Sequence, residues 1–283
     1  MDELRVHLNG KIVPAAEAAL SIWDAGFLHG ASVFTTMLAH KGVVFHLDRH
    51  LARLMETARL VHLRTDATAE ALLAATKELL AANALTEAQV RITLTPGSIR
   101  SGEPTTLITV AELPRYPGEW YEKGITVTVS PFKQTATDPI YGHKTGAYFS
   151  RMLARQDAAE KGAEEALWYT VDNYLAEACF CNVFLVLDDS VHTPPLRTPV
   201  LPGIVRQAVI ELCGQLGIAC DDQASLSVRD MLTAGEIFLT ASCSGIRPVV
   251  RVERHAVGDE KPGRTTRRIM AAYQELLDRE CAS

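Results

Sequence analysis

Long apolar runs are missing from this 283-residue sequence. No stretch approaches the roughly 18 consecutive apolar residues that a bilayer-spanning helix needs. A basic block is missing too. Lys and Arg total 28 against 34 Asp and Glu, for a formal net charge of −6, so no nucleic-acid partner is expected, although a small anion could still be held in a local site. The first residues, Met1 to Lys11, are charged and lack an apolar signal segment. Neither a GxGxxG dinucleotide loop nor a GxxxxGK[ST] phosphate loop occurs. The six cysteines form no zinc-type pair, since Cys179 and Cys181 have one residue between them and no second pair follows. They read as small buried hydrophobes of a reduced, cytoplasmic protein, with no membrane partner.

What is present is ordinary for a globular chain: 47% hydrophobic and 22% charged residues, enough for a large core without disulfides or a structural metal. At roughly 150 residues per domain, the length allows one large domain or two modest ones. Asn9-Gly10, between Leu4–Leu8 and Lys11–Val13, signals a two-residue hairpin, and Lys41-Gly42 a second turn between Val33–Leu38 and Val43–His46. Asp48 is an N-cap type ahead of Leu51, Leu54, Met55, Ala58 and Val61 at helical spacing, and a second helix is expected from about Thr68 to Ala82. Strands follow at Val90–Thr95 and Thr105–Ala111. The stretch from Leu113 to Glu119 then has neither period and two prolines, which marks a domain boundary. The division is therefore a small domain over 1–113, a linker over 114–120 and a larger domain over 121–283. Beyond it come a strand at Ile125–Ser130, a helix at about Tyr148–Lys161, and strands at Ala166–Val171 and Val183–Leu187. A Pro-rich loop, the helix Ile204–Leu216, strands at Glu236–Thr240 and Val249–Val252, and a terminal helix from about Pro262 complete the chain. Strands cluster between helices, so the class is α+β with mostly antiparallel sheet.

Two familiar chemistries are poorly supported. Ala241-Ser242-Cys243-Ser244-Gly245 follows a strand as a nucleophile elbow would, but Ile246-Arg-Pro-Val-Val after it reads as strand where that motif needs a helix. His40, His46, Asp48 and His50 lack a further histidine pair, so they read as surface or helix-end residues and no metal is expected. Another region is more suggestive. Lys144 lies in Tyr141-Gly-His-Lys-Thr-Gly-Ala-Tyr148, where glycines and aromatics can desolvate an amine for Schiff-base chemistry. Glu177 lies in an apolar stretch, Tyr174 to Phe184, and would need a cationic or hydrogen-bonding partner if buried. Leu201-Pro-Gly-Ile-Val-Arg206 opens a helix with no acid in its first turn, leaving amides suited to a phosphate, and Ser242 to Ser244 could add donors. An amine, a carboxylate and two phosphate cradles are what pyridoxal phosphate requires.

In this order the motifs resemble the class IV (fold-type IV) pyridoxal-phosphate aminotransferases, a group that includes branched-chain and D-amino-acid aminotransferases and aminodeoxychorismate lyase. The matching stretches run from Asp24-Ala-Gly-Phe-Leu-His-Gly-Ala-Ser-Val-Phe34 through His50-Leu-Ala-Arg-Leu54, Lys144, Glu177 to Phe184 and Leu201-Pro-Gly-Ile204 to Thr240–Pro248. The resemblance implies pyridoxal 5'-phosphate as cofactor and a small N-terminal α/β domain beside a larger domain built on a β-barrel-like sheet. It also implies a cofactor cleft between them and a homodimer. It makes Lys144 the Schiff-base lysine and proton carrier, Glu177 the partner of the pyridine nitrogen, and Arg53 the grip on the phosphate. Ile204 and Val205 amides and the Ser242 hydroxyl would complete the phosphate site, with Tyr148 near the phenolic oxygen. Among substrate-binding candidates, Arg91 aligns with an arginine found in several branched-chain enzymes, and the Cys243 amide with one that meets the substrate carboxylate. Arg100 lies in a loop that carries arginine in D-amino-acid enzymes and in the lyases, and His29 stands where branched-chain enzymes usually have tyrosine.

The implied activity is transfer of an amino group between an amino acid and a 2-oxo acid, with 2-oxoglutarate or pyruvate as acceptor. The alternative is elimination of pyruvate from 4-amino-4-deoxychorismate to give 4-aminobenzoate. Phe34-Thr-Thr36 lies closer to some of those lyases, whereas Leu38 stands where they often carry arginine.

Overall fold

The computed structural model describes residues 4–282, and the chain forms two compact units. One contains the described chain up to Pro114, together with Lys144–Ala147 and the chain end from Leu277; the other contains Arg115–His143 and Tyr148–Leu276.

The first unit is a six-stranded antiparallel sheet with two helices on one face. In chain order it has β1 (Arg5–Leu8), β2 (Lys11–Pro14), α1 (Ala25–His29), β3 (Val33–His40), β4 (Val43–Val44), α2 (Leu47–Leu60), α3 (Ala69–Asn83), β5 (Ala88–Thr95) and β6 (Thr105–Glu112). The strand order is β2-β1-β6-β5-β3-β4. Positive φ at Asn9 (48°) and Gly10 (84°) gives the β1–β2 turn the twist a two-residue hairpin needs. Strand β5 alternates: Ala88, Val90, Ile92 and Leu94 are buried with Leu51, Leu54, Leu72 and Leu79 of the two helices. Gln89, Arg91 and Thr93 therefore take the opposite face. Register pairs Phe34 with Thr93 and Thr36 with Arg91, which puts Phe34 on Arg91's face and Thr35 on the helix face. The start of α2 differs from expectation. Its N-cap is His46, in the left-handed region at φ 47°, while Asp48 sits in the first turn, where it complements the helix dipole instead of capping.

The second unit is built on a nine-stranded sheet. Its elements are α4 (Glu119–Glu122), β7 (Ile125–Gln134), α5 (Phe149–Glu160), β8 (Glu165–Thr170), β9 (Leu175–Ala178), β10 (Asn182–Leu187), β11 (Ser190–His192), α6 (Ile204–Leu216), β12 (Cys220–Asp221), α7 (Val228–Thr233), β13 (Glu236–Ala241), β14 (Gly245–Val252), β15 (His255–Ala256) and α8 (Arg264–Glu280), whose last turn groups with the first unit. The order is β12-β11-β10-β13-β14-β7-β8-β9, with β15 on β14. β9 ends this path and β10 lies third from its other end, yet only three residues separate them, and Ala178 N–H donates to Cys181 O at 2.7 Å. The sheet must curl to allow that. Its inner surface is filled by Ile125, Val127, Leu167, Leu175, Val183, Leu185, Ile237, Leu239 and Val249. The other surface is covered as well, since Trp168 packs with Ala154 and Ala158 of α5, and Phe184 stacks on Phe238 at 4.8 Å. Burial on both sides explains why β8 and β10 read as continuous apolar runs.

Candidate active site

Lys144 is held in the first unit by its backbone. Its carbonyl accepts from Phe34 N–H at 2.9 Å, Gly146 N–H donates to Ser32 O at 2.7 Å, and Thr145 bridges Val33. The three residues thus extend the edge of β3. Gly146 is required there, because a Cβ would lie 2.2 Å from Ser32 Oγ and 2.7 Å from Gly30 O. The amine of Lys144 stands 4.8 Å from the centroid of the Phe34 ring, and the Arg91 guanidinium packs 3.6 Å from the same centroid. Arg91 Nε also donates to Thr93 Oγ1 at 3.2 Å.

On the helix face of β3, Arg53 Nη2 donates to Thr35 Oγ1 (3.2 Å), and Thr35 Oγ1 lies 2.8 Å from His50 Nδ1. Burial pushes His50 well below the usual histidine range, with Arg53, Lys144 and His46 adding in the same direction. His50 is therefore neutral near pH 7, and its Nδ1 shares a hydrogen bond with the Thr35 hydroxyl, which also accepts from Arg53. His50 is 1% exposed, not the surface or helix-end residue that its place beside the strand suggests. The helical period carries it inward with Leu47, Leu51 and Leu54. Asp24 braces the neighbouring turn, accepting from Gly26 N–H and from the hydroxyls of Thr95 and Thr105 at 2.7–2.8 Å.

In the second unit Glu177 lies on β9, buried. Its Oε1 accepts from Arg151 Nη2 at 2.5 Å and its Oε2 from Leu201 N–H at 3.0 Å. Both are partners a buried carboxylate needs, and neither was evident in the sequence. The signal for Arg151 was present: it shares the buried face of α5 with Ala154 and Ala158, three and seven residues on. Leu201 belongs to the loop before α6. Asn182 Nδ2 donates to Leu201 O (2.8 Å), and a Cβ at Gly203 would lie 2.0 Å from Asn182 Oδ1, so glycine allows this loop its close approach. Gly203 caps α6 without a side-chain bond, and no acid occupies the first turn of Ile204 and Val205. Ser242 and Cys243 are half-buried in the turn between β13 and β14, whose pairing closes at Ala241 and Gly245. Gly245 starts a strand, so the elbow geometry is not formed. Tyr121 Oη donates to Ser244 O at 3.0 Å beside this turn. Tyr148 precedes α5 and stacks on Phe180 at 5.6 Å.

The remaining candidates lie on surfaces. His29 is exposed in the last turn of α1, and Arg100 is exposed with its guanidinium 4.2 Å from the Trp23 ring. Burial raises Cys179 to about 12 and Cys181 to about 11, so neither thiol is a ready nucleophile. No group of three His, Cys, Asp or Glu side chains suited to a metal occurs among the described residues, and no described helix is long and apolar enough to cross a membrane.

Comparison with known proteins bears on these residues together. The family model for class IV aminotransferases (Amino-transferase class IV) matches residues 32–252. The branched-chain-amino-acid aminotransferase of Salmonella typhimurium is 31% identical over 289 residues, covering 97% of this chain and 93% of that protein. The D-alanine aminotransferase of Bacillus licheniformis is 25% identical, with 99% of both chains covered. The crystal structure of the Escherichia coli branched-chain amino acid aminotransferase superposes with a TM-score of 0.93 at 27% identity, covering 100% of this chain and 97% of that one. The chain therefore belongs to the class IV aminotransferases, and it is a pyridoxal-phosphate-dependent enzyme of the fold-type IV architecture.

Proposed function

We propose that this aminotransferase exchanges the amino group of a small apolar amino acid, branched-chain residues included, with 2-oxoglutarate or pyruvate. One observation carries this reading: the Phe34 ring packs against both the Lys144 amine and the Arg91 guanidinium. A nucleophilic amine and a carboxylate-binding cation around one apolar ring suit an α-amino or 2-oxo acid with an apolar side chain. The names of the Salmonella and Bacillus relatives favour the same substrate class.

The residues fit pyridoxal 5'-phosphate. The start of α6 carries no capping side chain and no acid, a carboxylate is buried on β9, and Lys144 is fixed through its backbone. Arg53, the Ile204 and Val205 amides and the Ser242 hydroxyl would hold the phosphate. Glu177 would meet the pyridine nitrogen, and Tyr148 the phenolic oxygen. Bound there, the cofactor supplies an aldehyde that condenses with amines and a ring that takes up negative charge from the substrate α-carbon. Lys144 Nζ removes the proton from that α-carbon and holds it for return. Arg91 and the Cys243 amide orient the substrate carboxylate, with the exposed Arg100 and His29 as further candidates. The Thr35–His50 pair keeps the Arg53 guanidinium in place.

A homodimer and a cytoplasmic location complete the proposal. The first unit exposes Leu20, Ile22, Trp23, Phe27, Leu28 and Ile99, with Ile22 68% and Phe27 74% accessible, and Ile99 N–H donates to Trp23 O, joining the two segments. So large an apolar surface suits burial against a second copy. Among the described residues no disulfide joins the cysteines, which suits a reducing compartment.

The test is a coupled screen of the purified yellow protein. It compares 2-oxo-acid formation from L- and D-amino acids with pyruvate release from 4-amino-4-deoxychorismate. Acceptor-dependent turnover of branched-chain amino acids that Lys144→Ala abolishes is the expected result. Pyruvate release from aminodeoxychorismate without an amino acceptor would replace this reading by the lyase.

A further inference from the structure

Glu177 and Arg151 form a built site within the second unit. The Arg151 guanidinium is fixed independently of the carboxylate. Its Nη1 donates to Ala178 O at 3.0 Å and Cys179 O at 3.2 Å, and its Nη2 lies 3.4 Å from Gln134 Oε1 as well as 2.5 Å from Glu177 Oε1. Three rings surround it, those of Trp168 at 5.1 Å, Tyr148 at 5.8 Å and Tyr141 at 6.0 Å. Burial pulls this guanidinium down, but Glu177 chiefly, with Tyr148 and Cys179, outweighs burial, so it is more firmly charged than an ordinary arginine. Gln134, its other side-chain partner, is itself held, donating to the carbonyls of Thr198 and Pro199. The charge therefore sits on a frame of main chain and fixed side chains.

That frame constrains Glu177. Each carboxylate oxygen accepts one bond from the chain, Arg151 on Oε1 and Leu201 N–H on Oε2. A carboxylate offers about four acceptor positions, so its orientation is set while capacity remains for one more donor. Removing the cation would strand a buried charge, a change that costs far more than an exposed pair does.

We infer that Arg151 is a positioning residue for the cofactor: acting through Glu177, it fixes the carboxylate that receives the pyridine nitrogen. This rests on the reading of Glu177 as that nitrogen's partner. Arg151 does not touch the reacting atoms. Its contribution disappears when Glu177 can no longer carry charge, whereas a residue that only stabilises the fold would act whatever stands at 177.

A double-mutant cycle on cofactor affinity separates the two roles. Dissociation constants for pyridoxal phosphate are measured by equilibrium dialysis on the wild type, Arg151→Met, Arg151→Lys, Glu177→Gln and the Met/Gln double variant. Arg151→Met should weaken binding about tenfold, as loss of an outer partner does at other cofactor and metal sites. Arg151→Lys should recover part of that loss, and in the Glu177→Gln background Arg151→Met should add less than about twofold. Full additivity, or wild-type affinity in Arg151→Met, overturns the inference. If Arg151→Met does not fold by circular dichroism, Arg151→Gln, which keeps a polar, uncharged side chain, replaces it in the cycle. A loss in Glu177→Gln with none in the Arg151 variants removes the inference alone. Wild-type affinity in Glu177→Gln removes the reading of Glu177 and the inference with it.

Discussion

Gly146→Ala is the sharpest perturbation of the way Lys144 is placed. The new methyl would meet Ser32 Oγ at 2.2 Å and Gly30 O at 2.7 Å. The hydroxyl can rotate aside, but the carbonyl is backbone, and Gly30 closes α1 at φ 64°, so it cannot retreat without disturbing that helix. The strand segment carrying Lys144 must move instead, which weakens the 2.7 Å bond from Gly146 N–H to Ser32 O. Overpacking of this kind costs about 1–3 kcal/mol and a lost hydrogen bond about 1 kcal/mol. The smaller conformational freedom of alanine in the unfolded chain returns about 0.5–1 kcal/mol. The expected net loss is about 2 kcal/mol in urea unfolding. The effect on catalysis should be larger, because displacing a reacting group by about 1 Å costs on the order of 10²-fold in rate. Steady-state kcat and the urea midpoint are measured on Gly146→Ala and on Gly146→Ala with Ser32→Ala. The double variant should stay impaired, since the carbonyl contact survives. Wild-type kcat and stability in Gly146→Ala would refute the placement of Lys144 by backbone pairing. Full recovery in the double variant would move the cause from the Gly30 carbonyl to the Ser32 hydroxyl.

Two further expectations concern stability. His50 is held neutral, below its value in the unfolded chain, so its contribution is complete above about pH 6.5 and is lost as pH falls from there toward the folded value. His50→Gln should therefore lose less of its urea midpoint between pH 7 and pH 5 than the wild type loses, and parallel profiles would count against a neutral buried imidazole. Gly214 lies exposed within α6, and a Cβ there meets nothing within 4 Å. Gly214→Ala should add about 0.5–1 kcal/mol by helix propensity, with activity unchanged; a destabilised variant would contradict the open space around it.

Local patterns were legible where the determinant is local. The Asn9-Gly10 hairpin, the start of α3 near Thr68, whose side chain proves to cap the helix by accepting from Ala71 N–H, and the start of α6 after Pro202-Gly203 follow from backbone preferences of neighbouring residues. The strand around Glu177 was not legible. Four residues, Leu175 to Ala178, buried on both faces, show no alternation, and a lone glutamate among them reads as loop. The short elements β11 and α7 were missed for the same reason: three and six residues carry too little periodic signal. His46 in place of Asp48 as the cap of α2 reflects how the chain leaves β4, a geometry no cap preference encodes.

By itself the sequence determined the class of the fold, the apolar faces of its helices, and an ordered set of chemical groups: an amine, a carboxylate, an arginine and a helix start free of acid. Only the tertiary structure decided which partners those groups have. Arg151 meets Glu177 across 26 positions, His50 meets Thr35 across 15, and Lys144 pairs with β3, more than a hundred residues earlier. Charge pairing and burial depend on distance in space, and a residue's own neighbours in the chain say nothing of which distant group will share its low-dielectric surroundings.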